Sequence, residues 1–199
     1  MPHIDLPLLV QTLGYPGITA AVFLESGVPV GFFLPGASML FTAGLLASQG
    51  FFNPWILIPL VTIAAILGDN AGYWFGRKVG VRLFLRPDSR WFHHRHLERA
   101  KRFYDAYGAR AILLGRFVPI VRTFAPIVAG VVAMNYRTFV MYNVLGALAW
   151  ATGVTSLGYF LGVKVPLVGE YLTPIILGII FITCIPLAWD FFKNRRDQI

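Results

Sequence analysis

The sequence predicts an all-α integral membrane protein, built as an inverted repeat of two units with additional N- and C-terminal helices. Each unit is a re-entrant helical hairpin followed by a transmembrane helix. The membrane class follows from composition, because 57% of the 199 residues are hydrophobic, 13% are charged and the mean hydropathy is +0.67. It also follows from four uncharged runs, each of which reaches at least the roughly 20 residues that a helix needs to cross the hydrocarbon core. These runs are 6–24, 26–68, 138–163 and 171–189.

The whole chain, residues 1–199, is predicted to be one membrane domain. The run 6–24 precedes the repeat, and Gly14, Pro16 and Gly17 interrupt it, so the sequence leaves open whether it crosses fully. The segments that follow are a first repeat unit (about 25–80), a basic loop (81–110), a second unit (about 111–166) and a C-terminal span (170–190).

A strongly basic loop separates the two units. Between Arg77 and Arg110 lie ten basic and three acidic residues, a local charge of 10 − 3 = +7. Such loops mark the cytoplasmic side, so 77–110 is predicted to be cytoplasmic, as is the C-terminus with its basic cluster over 193–196. The charge also suits anionic lipid headgroups, and without a binding motif it predicts no nucleic-acid partner.

A histidine cluster lies in this loop. His93, His94 and His96 precede Glu98, but no thiol and no second ligand pair follow at a zinc-site spacing. We therefore predict an amphipathic helix against the headgroups, and neither a metal site nor a cofactor.

The segment 111–134 is predicted to be a re-entrant hairpin. If 138–163 and 171–189 each cross once, the chain already returns to the cytoplasm, so 111–134 cannot also cross. Pro119 and Pro126 are its predicted breaks, because proline lacks a backbone donor and disfavours helix at the preceding residue. Non-helical backbone at membrane depth must be buried in protein or line a wet cavity.

An internal repeat supports two related units. Residues 43–47 (AGLLA) match 129–133 (AGVVA), and 72–79 (GYWFGRKV) match 158–165 (GYFLGVKV), both at an offset of 86 residues. One crossing per unit inverts the second copy, as in many secondary transporters. The first hairpin then lies near 28–48 and enters from the outer face, with its breaks at Pro29, Pro35 and Gly36.

Two faces of the first predicted span carry distinct patterns. Gly68, Gly72 and Gly76 recur every four residues, a spacing that lets another helix approach closely. The adjacent face carries Asp69, Tyr73 and Arg77. For Asp69 two roles stay open, a structural pairing with a nearby donor such as Arg77 and a part in a transport pathway.

Charged residues inside apolar runs are the candidate site. Arg116 and Arg122 are candidate phosphate ligands, because guanidinium groups bind phosphate bidentately and stay charged. The alternative is that they pair with Glu25, Asp69 or backbone carbonyls and hold the hairpins together. Glu25 is a candidate proton carrier, and its alternative is a helix-end cap or a structural ion pair.

Three blocks resemble the signature motifs of the DedA family, also called the SNARE-associated or VTT-domain family. They are ESGVPVGFFLPG (25–36), GDNAGYWFGRKVG (68–80) and GRFVPIVRTFAPIVAG (115–130), and the resemblance extends over about residues 10–190. It implies a bacterial inner-membrane lipid transporter with two opposed re-entrant hairpins. Members are linked to the return of undecaprenyl phosphate to the cytoplasmic leaflet, to phospholipid scrambling and to the proton motive force.

The resemblance also assigns residues. Glu25, Arg116 and Arg122 match the family's essential acid and arginines. One departure is Ala37, where many members carry an acidic residue directly after the Pro-Gly pair. A mechanism that needs two carboxylates in the first hairpin is therefore in question for this chain.

Several functions remain open on the sequence. The favoured one is transport of a lipid phosphate, chiefly undecaprenyl phosphate, with protons as candidate coupling ions and without enzymatic activity. The alternatives are a general phospholipid scramblase, a proton-coupled antiporter for a small ion that uses Glu25 and Asp69, and a membrane lipid phosphatase. The phosphatase is disfavoured because no histidine lies in the membrane motifs. The expected partners are the lipid substrate, membrane lipids and a second copy of the chain as a candidate oligomer.

The predicted topology has a direct test. Single cysteines introduced near Arg95 and near the C-terminus should react with an impermeant thiol reagent from the cytoplasmic side. A cysteine near Pro166 should react from the outside. Labelling of the C-terminus from the outside would mean that 111–134 crosses the membrane, and the inverted repeat would then be wrong.

Overall fold

A computed structural model describes residues 6–28, 36–80, 110–116 and 119–164. All regular secondary structure in these ranges is helical. The prediction of an all-α membrane protein is confirmed for this part of the chain. The helices are α1 (Leu6–Gly27), α2 (Gly36–Ser48), α3 (Pro54–Phe75), α4 (Arg110–Gly115), α5 (Pro119–Val131), α6 (Tyr136–Ala147) and α7 (Gly153–Lys164). Two π-helical turns adjoin them: Gly76–Gly80 extends α3, and Leu148–Thr152 joins α6 to α7.

In the part of the chain that the structure describes, three apolar helical stretches are long enough to cross a membrane. They are Pro7–Gly27, Pro54–Val79 and Tyr136–Lys164, of 21, 26 and 29 residues. The 13 residues of α2 reach about 20 Å at about 1.5 Å each, less than the hydrocarbon thickness of about 30 Å. The re-entrant hairpins and the inversion stay predictions, and the predicted span 171–189 lies outside the described residues.

The first long helix is kinked. Gly14 has φ 58° and ψ −167° inside α1, a conformation in the left-handed half of φ that glycine adopts at low cost. Pro16 follows two residues later and has no N–H for the helical ladder. The interruptions seen in the sequence therefore bend this helix, and its apolar stretch of 21 residues still has the length of a span.

The two long helical stretches that start with α3 and with α6 begin in the same way. Each follows a short helix and a tight turn that contains a residue with positive φ, Gly50 before α3 and Ala133 before α6. Asn53 and Asn135 are the N-caps, and each side chain accepts a backbone N–H from the first turn of its helix. The succession of short helix, turn, asparagine cap and long helix occurs twice, as a repeat requires.

Glycines bring the two halves of the chain into close contact. The short helix α2 packs on α7, and the short helix α5 packs on α3. At each crossing two glycines, one on each helix, lie directly against the backbone of the opposite helix. A Cβ at Gly44, Gly158, Gly130 or Gly76 would meet the carbonyl oxygen of Thr155, Phe41, Tyr73 or Ile127, respectively. Each short helix thus packs on the long helix of the other predicted unit.

The glycine ridge of α3 serves two neighbours. A Cβ on Gly68 would lie 2.5 Å from the Phe23 carbonyl oxygen of α1. Gly76, two turns later, faces α5, and Gly72 lies near both neighbours. Asp69 follows the first of these glycines, so close packing by small residues brings α1 and α5 to its side of α3.

Two alanine substitutions in α7 should separate this packing from helix propensity. Gly158→Ala should lower the free energy of unfolding by about 1 to 3 kcal/mol, because its methyl group would press on the Phe41 carbonyl. Gly153→Ala in the same helix meets nothing within 4 Å and should be neutral or stabilising by up to about 1 kcal/mol. Unfolding in mixed detergent micelles, followed by circular dichroism, measures both; equal stability of the two variants would contradict the close α2–α7 contact.

Candidate functional site

Four charged side chains lie buried where α1, α3 and α5 meet. Glu25 is 8% exposed, Asp69 3%, Arg116 3% and Arg122 6%. Glu25 lies in the last turn of α1, Asp69 in α3, Arg116 directly after α4 and Arg122 in the first turn of α5. These are the four ionisable residues singled out in the sequence, and the fold brings them together as two ion pairs.

The first pair joins Arg116 to Asp69. Nη1 of Arg116 lies 2.8 Å from Oδ2 of Asp69. The same nitrogen donates to Asn143 of α6, at 3.0 Å to the backbone carbonyl and 2.9 Å to Oδ1. The Asn143 amide donates in turn to the carbonyl of Ile66 in α3, at 3.2 Å. A buried amide therefore ties the arginine to both long helices, and this pair is firmly anchored.

The second pair joins Arg122 to Glu25. Nη2 of Arg122 lies 2.6 Å from Oε1 of Glu25. The carboxylate lies against the start of α2, where the backbone of Gly36 also hydrogen-bonds to it. A Cβ at Gly36 would overlap the Glu25 carboxylate, so this position requires glycine. A helix N-terminus favours a negative charge, which adds to the attraction of the arginine.

Trp150 completes the surroundings of Arg122. The guanidinium carbon lies 3.6 Å from the centroid of the indole ring, in a cation–π arrangement. Trp150 is 5% exposed and belongs to the π-helical turn between α6 and α7. Arg116 and Arg122 are therefore both contacted by the long helix of the second unit, through Asn143 and Trp150.

Sequence reasoning missed Asn143 and Trp150. Asn143 carries a weak signal, because a buried primary amide in an uncharged run needs hydrogen-bond partners. Trp150 carries a weaker signal than Asn143, since a tryptophan in an apolar run is consistent with lipid contact or core packing alone. Their roles depend on which residues of other helices lie opposite them.

Several N–H groups of the site have no hydrogen-bond partner among the described residues. They are Nε and Nη2 of Arg116 and Nε and Nη2 of Arg122; the last lies 2.6 Å from the Glu25 carboxylate, an ion-pair distance without hydrogen-bond alignment. Oδ1 of Asp69 is also without a donor in this part of the chain. Guanidinium groups carry five N–H donors each, so the two arginines have the capacity to bind further oxygen atoms. In the described ranges no group of three His, Cys, Asp or Glu side chains is placed to hold a metal ion.

Tyr73 and Arg77 lie beside the site rather than in it. Nη1 of Arg77 donates to the Tyr73 hydroxyl at 2.8 Å, and this hydroxyl donates to the carbonyl of Met134 at 2.6 Å. The Tyr73 ring stacks on Phe139 at a centroid distance of 4.6 Å. The structure thus gives Arg116, not Arg77, as the ionic partner of Asp69.

The two prolines of the second predicted hairpin lie at different places in α5. Pro119 is the first residue of α5, where a missing N–H costs nothing. Pro126 is not the break that the sequence predicts, because α5 continues through it to Val131. A proline there removes the donor to the carbonyl of Arg122, four residues earlier, without ending the helix. In the first predicted hairpin Gly36 begins α2, and Pro29 and Pro35 lie outside the described residues.

Comparison with known proteins identifies the family. The VTT domain model matches residues 34–160, well over half of the chain. The chain belongs to the VTT-domain, or DedA, family. The matched region contains α2 to α6 and most of α7, with three of the four buried charges; Glu25 lies just before it.

Relatives extend this similarity to the ends of the chain. Protein DedA of Escherichia coli strain K12 is 43% identical over 98% of this chain and 91% of its own length. An uncharacterized membrane protein of Mycobacterium leprae is 40% identical over 90% of this chain and 82% of its own length. No solved structure matches the chain significantly. The resemblance drawn from the three sequence blocks is therefore confirmed at the level of the family.

The buried pairs predict a marked stability effect. Asp69→Asn leaves the Arg116 cation without its carboxylate and should lower the free energy of unfolding by roughly 3 to 5 kcal/mol. Combining it with Arg116→Gln should cost less than the sum of the two single changes. Denaturant titration in detergent micelles measures all three variants. Arg137→Gln, an exposed charge on α6, is the control and should stay within about 0.5 kcal/mol of wild type. An Asp69→Asn protein as stable as this control would contradict the pairing.

Proposed function

We propose that this protein moves a lipid phosphate across the bacterial inner membrane, and that its substrate is a polyprenyl phosphate such as undecaprenyl phosphate. The observation that supports this most is the pair of buried arginines with N–H donors that have no hydrogen-bond partner among the described residues. Cations at membrane depth are costly and need a partner. A phosphate monoester is such a partner, and it also suits the planar fork of arginine.

The two carboxylates occupy, in this proposal, the places that phosphate oxygens take when lipid is bound. Glu25 and Asp69 each lie within hydrogen-bond distance of one guanidinium group. A carboxylate and a phosphate present similar oxygen acceptors to an arginine, so one can replace the other at the same N–H groups. The structural and the transport interpretations of these arginines are thereby compatible.

The arginines are proposed to differ in role. Nη1 of Arg116 contacts three oxygens at once, one of Asp69 and two of Asn143. Arg122 is paired with Glu25 and stacked on Trp150. Because fewer polar contacts would have to be broken at Arg122, we assign the first phosphate contact to Arg122. Arg116 then adds its unused Nε and Nη2 donors.

Movement between two inverted units is the proposed transport step. Each short helix packs on the long helix of the other unit, with glycine contacts at both crossings, and this arrangement supports a repeat. The acids Glu25 and Asp69 come from the N-terminal half and the arginines from the C-terminal half. Rocking of one unit against the other would therefore open the ion pairs to one side of the membrane. In this topology the basic loop and the C-terminus are cytoplasmic.

Proton coupling is assigned to Glu25. Glu25 pairs with Arg122, the arginine that is proposed to exchange its partner more easily. Protonation of Glu25 would therefore weaken this ion pair at the moment when phosphate needs the N–H groups of Arg122. With Ala37 in place of the acid that many members carry, Glu25 is the carboxylate placed to do this on the first hairpin. Asp69 is the alternative carrier.

Transport assays should show selectivity for the phosphate. In proteoliposomes we expect faster transbilayer movement of labelled undecaprenyl phosphate than of phosphatidylglycerol, and no cation flux. Arg116→Lys and Arg122→Lys keep the charge but lose the planar fork, so each should lower lipid-phosphate binding by about tenfold or more. Arg110→Lys, at an exposed arginine of α4, is the matched control and should leave binding unchanged.

Each outcome of that experiment discriminates between functions. Equal movement of both lipids would indicate a general scramblase, and cation flux without lipid movement would indicate an antiporter. Release of inorganic phosphate would indicate a phosphatase. Full transport by lysine at both positions would show that the arginines act only as diffuse charge or structural pairs.

Glu25→Gln should uncouple transport from the pH gradient. Glutamine keeps the size of glutamate and one accepting oxygen but does not ionise, so the response to an imposed gradient should disappear. Lipid-phosphate binding should persist, because both arginines remain and one competing carboxylate is gone. Ala37→Asp in that background should recover part of the coupling. Transport with and without the gradient measures this, and an unchanged response would move the role to Asp69 or make the protein a passive scramblase.

A further inference from the structure

The indole of Trp150 contacts Arg122 in a way that leaves its hydrogen-bonding capacity intact. The guanidinium carbon lies 3.6 Å from the ring centroid, so the ring covers one face of the cation. All five N–H groups of an arginine point outward in the plane of the guanidinium. A contact at the face therefore holds the cation without using a donor, and the Glu25 carboxylate lies 2.6 Å from Nη2 of the same group.

Trp150 supplies an attraction that does not depend on Glu25. Both Trp150 and Arg122 are more than nine-tenths buried, and a cation–π contact is strongest where water is excluded. A second carboxylate in this position would compete with phosphate for the N–H groups and cancel the positive charge. An aromatic ring stabilises the cation and does neither.

The position of Trp150 in the helix fits this role. It lies in the π-helical turn between α6 and α7, and such turns are frequent at functional sites. Asn143, about two helical turns earlier, contacts Arg116 from the same long helix. One helix thus supports both cations, while the carboxylates belong to α1 and α3.

We propose that Trp150 is a positioning residue of the anion site, which holds the Arg122 guanidinium by its face so that its edge exchanges the Glu25 carboxylate for a phosphate monoester. This rests on the proposed lipid-phosphate function. It adds that the arginine stays in place during the exchange, and that its support is aromatic rather than ionic.

The test uses farnesyl phosphate as the probe and farnesol as its control, with the full-length protein in nanodiscs. Trp150→Leu should weaken farnesyl phosphate binding by about tenfold, and Trp150→Phe by clearly less, because phenylalanine keeps a weaker π face. In an Arg122→Gln background Trp150→Leu should have no further effect, because the residue acts through the arginine. Trp74→Leu is the matched control, since Trp74 pairs with Tyr73 and Tyr136 and should leave binding unchanged.

A spectroscopic readout separates positioning from a general effect on folding. In a protein with Trp55, Trp74, Trp91 and Trp189 changed to Phe, Trp150 is the remaining tryptophan. Its fluorescence should change on addition of farnesyl phosphate and not of farnesol, and Arg122→Gln should abolish the change. This measurement keeps Trp150 and so does not depend on whether Trp150→Leu folds.

Three results would overturn the inference. The first is unchanged binding of farnesyl phosphate by Trp150→Leu, and the second is an equal loss of binding in Trp74→Leu. The third is a single-tryptophan protein that binds farnesyl phosphate without any change in Trp150 fluorescence. Each would show that the ring does not position the arginine. If wild-type protein binds farnesyl phosphate no better than farnesol, the proposed function itself fails, and the inference fails with it. The wild-type arm therefore distinguishes the two failures.

Discussion

The pairing of two buried arginines with two buried carboxylates is the constraint on which the rest of the described structure depends. An unpaired charge among apolar helices is costly, so the last turn of α1 must lie close to the start of α5, and the middle of α3 close to the end of α4. Such short distances require the backbones to approach closely. Gly27 and Gly68 allow this between α1 and α3, and Gly76 and Gly130 allow it between α3 and α5. The small residues are therefore a condition for the ion pairs as well as a packing motif.

The sequence predicts the charged members of the site and leaves their partners open. Ionisable residues inside apolar runs stand out because they are expensive there, which is why Glu25, Asp69, Arg116 and Arg122 are recognisable without a structure. Which acid pairs with which arginine depends on how helices from different halves of the chain approach. Arg77, four residues after Tyr73 and on the face of Asp69, was a reasonable local partner, yet it bonds to Tyr73 instead. Long-range packing decided between two chemically equivalent pairings.

Secondary structure shows the same limit. The glycine and proline signals locate the start of α5 and the kink of α1, because these residues act on their own backbone. Pro126 was misjudged since a helix tolerates one missing hydrogen bond when its neighbours hold it, and α5 packs on α3 at this point: a Cβ on Gly72 would lie 3.5 Å from the Cβ of Pro126. Asn143 and Trp150 were missed for a related reason. Neither is costly in an apolar helix in the way that a charge is, so only the position of the arginines reveals their roles.

Charge balance links the proposed substrate to the proposed proton. The four side chains sum to zero charge when all are ionised, and the acids and the arginines belong to different halves of the chain. If the halves separate, each arginine needs a new anion and each carboxylate needs a new cation or a proton. At the Arg122–Glu25 pair, a singly charged lipid phosphate meets the first need and protonation of Glu25 meets the second. Neither alone keeps the interior neutral, so under the proposed function binding of phosphate and uptake of a proton favour each other. Coupling of the two would then follow from the cost of a buried unpaired charge and would need no separate coupling device.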